Sequence, residues 1–208
     1  MSYVELLLDS VGYIDMWEVF VDCINLIVAG GFLYIGYNGL KTWRDQLHGT
    51  SRYNLSLELL HKTYELEDAI KQVRNPILHL KAEEVANGRH MQEEMRIYDQ
   101  RLNLAIQAWL SLKTQIMQAR AIWVQDEISA LFEPIGAHIR TLRSAIWYHF
   151  WLKGAYVGPG AEVDKTPDKV RANDQIVYEQ GEADEFNYQL ANSVSTVENF
   201  FRGHLTKQ

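Results

Sequence analysis

Residues 17–43 read WEVFVDCINLIVAGGFLYIGYNGLKTW. From Val19 to Tyr37 the run is almost continuously apolar, broken only by Asp22, Asn25 and glycines. A helix rises ~1.5 Å per residue, so this run reaches across close to the ~30 Å hydrocarbon core of a bilayer. Trp17 stands before it, and Tyr37 and Trp43 stand at its end. Amphipathic rings collect at membrane–water boundaries, so these positions suit interface anchors. The pattern predicts a transmembrane helix. The competing reading is a buried helix of a soluble protein, to which Asp22 lends weight.

The flanking charges favour the membrane. Residues 1–18 carry Glu5, Asp9, Asp15 and Glu18 and no Lys or Arg, whereas Lys41, Arg44 and Arg52 follow the run. Basic residues near a span stay on the cytoplasmic side, so the expected orientation is N-terminus outside and C-terminal domain inside. A cleaved signal peptide is not expected, for want of a basic n-region and a small-residue cleavage site.

The 208 residues fit one span plus one domain of about 150 residues. A net charge of −7 argues against a nucleic-acid-binding surface, which normally shows as a basic patch. Cys23 is the only cysteine, so there is neither a disulfide framework nor a thiolate metal site. Four prolines and few strand-like alternations point to an all-α protein.

Outward from the apolar run, residues 1–15 form a short outer segment in which Val4, Leu7, Leu8 and Val11 oppose Glu5 and Asp9 at helical spacing. Residues 16–48 are the span and a stalk, with His48-Gly49-Thr50 ending the helix. Residues 49–208 are a cytosolic helical bundle with a loop-rich insert at 154–181. Within it, Ser51–Val73 is expected to pack through Leu55, Leu59, Leu60, Tyr64, Ile70 and Val73, and Asn75-Pro76 stops it. Residues 77–89 are a linker or a short helix. His90–Trp123 follows, with apolar residues from Met95 to Ala119 every three or four positions. Asp126 starts a helix that carries Pro134 and runs to Ile146, ahead of the apolar Trp147–Trp151. A short helix near Val170–Tyr178 precedes a last one from Glu182 to Leu205. Helices of this length with one apolar face each make a four-helix bundle the economical architecture.

Inside the span, Asp22, Asn25, Ala29 and Gly36 fall within about 60° of one another on a helical wheel. Small and polar residues on one face suit close helix–helix packing, so a homo-oligomer is expected, with this face as its interface or as a pore lining.

The blocks Gly39-Leu40-Lys41-Thr42-Trp43-Arg44-Asp45-Gln46-Leu47-His48-Gly49, Ala69–Pro76 and Val197–Leu205 resemble a widespread uncharacterised bacterial family. Those proteins have one N-terminal span and a helical cytosolic domain. The resemblance implies the bacterial inner membrane and this architecture; the family has no established activity. The chain departs from the family pattern at Val124, where relatives tend to have glycine, and at Gly203, where they tend to have proline.

Two arrangements could carry chemistry. HEPN ribonucleases, also helical bundles, use an Arg-x(4–6)-His motif across a dimer, and Arg74…His79 and Arg143…His149 resemble it. There the His would act as general base and the Arg would stabilise phosphate charge. The plainer reading has Arg74 tying down a helix C-terminus and His149 partly buried in the core. Glu58-Leu59-Leu60-His61 is a Glu-x-x-His unit, but carboxylate-bridged metal bundles need two such units, so neither metal nor cofactor is expected.

The leading expectation is a non-enzymatic, self-associating membrane protein whose cytosolic bundle senses or docks an unknown protein or signal. By analogy with helical membrane effectors of bacterial antiviral systems, a pore-forming or membrane-perturbing effector is one setting. The alternatives are a membrane-tethered HEPN-like ribonuclease and a passive anchor for a soluble partner.

Overall fold

A computed structural model describes residues 16–123, 125–156, 158, 162, 164–179 and 181–205. The outer segment expected over residues 1–15 lies outside the described residues, as does Val124. The described residues are helical, with no strand among them. The order is α1 (Met16–Arg74), α2 (Ala82–Ala86), α3 (His90–Ala119), α4 (Gln125–Leu152), α5 (Pro167–Val177), a 3₁₀ turn (Gly181–Ala183) and α6 (Glu185–Leu205). The chain divides into two compact units, residues 1–50 and 51–208.

The expected stop at His48-Gly49-Thr50 is not there: α1 is one helix of 59 residues. A mid-helix glycine costs only ~1 kcal/mol relative to alanine. Ending and restarting the helix would strand four C=O groups at the new C-terminus and four N–H groups at the new N-terminus, and require a second nucleation. Continuity is the cheaper outcome.

In the second unit, α1 buries Leu55, Leu59, Leu60, Leu66, Ile70 and Val73. Tyr64 is corrected to an exposed position, its hydroxyl close to Glu198 and Arg202, and Leu66 takes the buried place. Asn75-Pro76 does end the helix. The 77–89 stretch holds the five-residue α2, which packs on α3. Helix α3 buries Ile97, Tyr98, Ala105, Leu112, Ile116 and Ala119 and ends four residues before the expected Trp123. There the chain tightens, the N–H groups of Ile122 and Trp123 both bonding to the Ala119 carbonyl at 2.9 Å. The Trp123 ring stands edge-on to Phe201, 5.7 Å between centroids.

Helix α4 contacts α3, α5 and α6 and is the centre of the second unit. Ile128, Phe132, Ile135, Ile139, Leu142, Ile146 and Phe150 form its buried stripe. Pro134 is accommodated inside this helix. Helix α6 starts three residues later than Glu182, because the Asp184 carboxylate accepts the Asn187 N–H at 2.9 Å and caps the first turn. Its Leu190, Val194, Val197 and Phe201 complete the core; the side chain of Leu205 lies outside the described residues.

Candidate functional site

Helix α1 is long and apolar enough to cross a membrane near the N-terminus, and none of its most apolar eighteen-residue window is buried. Its side chains are exposed on all sides: Phe20, Leu26, Ile27, Phe32 and Leu33 each present more than half their surface. Trp17, Tyr37, Lys41, Trp43 and Arg44 are exposed where the apolar run begins and ends, and Asp22, Asn25, Ala29 and Gly36 are exposed along one face. The competing expectation of a buried core helix is therefore corrected. The core forms entirely from residue 55 onward.

The Arg/His pairs are not brought together as reactive sites. Arg74 is fully buried and His79 is exposed. The Arg74 guanidinium donates to the carbonyls of Gln175 (2.9 Å), Ile176 (2.8 Å) and Tyr178 (2.8 Å) at the end of α5. It donates also to Asn187 Oδ1 (2.6 Å) and Asp184 (3.0 Å) at the start of α6. Arg74 does tie down a helix C-terminus, that of α5, with each of its three guanidinium nitrogens engaged there or at the start of α6. Its guanidinium also lies 4.5 Å from the Phe186 ring centroid. In the second pair Arg143 is exposed and His149 is buried on the same helix. A six-residue step turns about 240°, so the two side chains face apart.

His149 instead belongs to a buried polar cluster. Its Nε2 lies 3.5 Å from Glu94 and 3.3 Å from the Tyr178 hydroxyl, and Lys153 donates to the same Glu94 oxygen at 2.5 Å. Burial, and then the Lys153 charge, push the His149 pKa below its ordinary value, against the pull of Glu94. Burial raises the Tyr98 and Tyr178 phenols, whose hydroxyls lie close to each other. The cluster binds α3, α4 and the chain after α5 together. The sequence offers no signal for it, since Glu94 and His149 are 55 residues apart.

Glu58 accepts from Gln115 at 2.7 Å and His61 pairs with Glu65 at 3.0 Å, both on exposed surface. Among the described residues no three His, Cys, Asp or Glu side chains gather to hold a metal ion. An open cleft of about 490 Å³ lies between the end of α4 and α5, lined by Tyr148, Trp151, Asp164, Lys169 and Asn173. Asp164 and Lys169 are paired with each other, Asp164 accepting from both Lys169 and Thr166, and Glu162 also lines the cleft.

No protein-family model, curated protein or solved structure matches the chain. Its function has to be read from its own residues.

Proposed function

We propose that the chain is a self-associating, single-span membrane protein, its N-terminus outside and its later helices a cytosolic docking domain. The second half of α1 with α3, α4 and α6 would make the four-helix bundle, with α5 laid against it. The observation that carries this reading is an apolar helix segment that the fold leaves uncovered on every side. Moving its large side chains from water into lipid is worth on the order of 20 kcal/mol, at ~1.5–3 kcal/mol each. The whole stability of an ordinary domain is about 5–15 kcal/mol. Asp22 opposes insertion by about 3 kcal/mol even at mid-membrane, so it does not decide the balance. The absence of Lys and Arg before the run and their presence after it support the orientation.

The Asp22/Asn25/Ala29/Gly36 face supports self-association. Past Asn25 it offers only Ala29 and Gly36, which suits packing better than hydrating a channel. The buried Arg74 and the divergence of Arg143 from His149 favour a docking domain over a ribonuclease.

The test is alkaline washing of membranes, followed by native mass in mild detergent. The chain should remain in the washed pellet and then run as a discrete assembly of more than one copy. Release into the supernatant removes the membrane reading, and a monomer in detergent leaves a passive anchor.

A further inference from the structure

Leu26, Leu33, Leu40 and Leu47 recur every seven residues, and Ala29, Gly36 and Trp43 fall between them at the same step. All four leucines are exposed, at 78%, 76%, 66% and 48%. Lipid accounts for the first two, where the helix is apolar all round. It does not account for Leu40 and Leu47, which stand on either side of the interface ring Trp43 among Lys41, Thr42, Arg44, Asp45, Gln46 and His48.

Past Tyr37 only one face is apolar. A one-sided apolar stripe belongs to a helix that packs on something, and within residues 1–50 no other described element exists to cover it. The helix also passes through Gly39, Gly49 and Thr50, although isolated helices of such composition are marginal in water.

We propose that this part of α1 pairs, parallel and in register, with the same helix of a second copy of the chain along the Leu26–Leu33–Leu40–Leu47 seam. The proposal rests on the self-association in the preceding reading and gives it a register. Self-pairing sets leucine layers against each other, while Ala29 and Gly36 let the backbones approach. Between Leu26 and Thr50 every charge lies off the seam, so no like charges are opposed there; Asp22, one heptad before Ala29, would face its own copy and marks the outer limit of the pairing. A strict seven-residue repeat drifts by about 20° per heptad on a straight helix, so the pair winds as a left-handed supercoil. In a single chain a Cβ at Gly36 would meet nothing within 4 Å, so the glycine is not required by the fold of one copy.

The experiment is oxidative cross-linking of the full chain in native membranes, in a Cys23→Ser background. Leu40→Cys and Leu47→Cys should each give a species of twice the 24.1 kDa chain. Lys41→Cys and Asp45→Cys should give about ten-fold less, since a disulfide needs Cα atoms within about 7 Å. Adding Gly36→Ile should reduce the Leu47→Cys product several-fold. Equal cross-linking at all four positions, none at any, or an adduct of another mass overturns the seam; the last identifies a different partner or neighbour. Alkaline washing of the same samples reports the membrane reading separately. A washed-out chain that keeps the seam pattern sinks the span and supports the pairing, and one that stays in the pellet without cross-links does the reverse.

Discussion

Arg74 closes α1 and joins it to elements a hundred residues later, through five hydrogen bonds and the Asp184 ion pair. Removing one partner of a buried pair leaves the other charge uncompensated, which costs about 3–5 kcal/mol. Arg74→Met should lower the unfolding free energy of the detergent-solubilised chain by that amount, followed by tryptophan fluorescence in urea. Arg74→Lys should not restore it, because an ammonium cannot reach five acceptors arranged for a guanidinium. Asp184→Asn added to Arg74→Met should recover part of the loss. His149 has its folded pKa below the ordinary 6.5, so the unfolded chain takes up the proton first. The stability this neutral form contributes is complete above pH 6.5 and is lost as pH falls below it. Melting temperature should therefore decline from pH 7 to pH 5, and His149→Gln should flatten that decline. Glu93 acts lower: its hydrogen bonds to Arg96 hold its carboxyl at about 2. Its contribution is present above about 4.5 and is lost between there and about 2.

Helices α3 and α4 approach closely at Gly136. A Cβ there would lie 2.8 Å and 3.0 Å from the six-membered ring of Trp109. Gly136→Ala gains ~1 kcal/mol of helix propensity but must displace a packed aromatic, at a cost of ~1–3 kcal/mol. A net loss of about 1 kcal/mol is expected in urea denaturation, and Trp109→Phe in the same chain should recover it by removing the obstructing ring atoms. Helix existence was legible in this protein, since α3, α4 and α6 carry apolar residues at three- and four-residue steps. Several boundaries were not. The 48–50 break fails because a continuous hydrogen-bond ladder outweighs one glycine, and the Trp123 end fails because that ring is drawn to Phe201.

For the molecule as a whole, the proposed membrane reading rests on residues 19–37. Ile27→Arg with Gly31→Arg puts two charges near the middle of the proposed span and off the proposed seam, at ~2.5–3.5 kcal/mol each by insertion scales. The altered chain should move in large part from the washed membrane pellet to the supernatant. If it stays in the pellet, another part of the chain holds it there. The second unit keeps its own core from Leu55 to Phe201, so it should retain its helical circular dichroism after that change.

The all-helical class and one helix of membrane-spanning length follow from composition and local periodicity, which any stretch of chain carries within itself. The placement of Arg74 and His149 does not. Each reads in the sequence as half of a local Arg/His motif. In the fold, Arg74 is matched to Asp184 and Asn187, and His149 to Glu94 and Tyr178. Those partners come from other helices, and burial makes each pairing obligatory because an unmatched polar group inside is costly. Local pattern determines which segments are helical; only packing decides which charged and polar side chains are used up in holding them together.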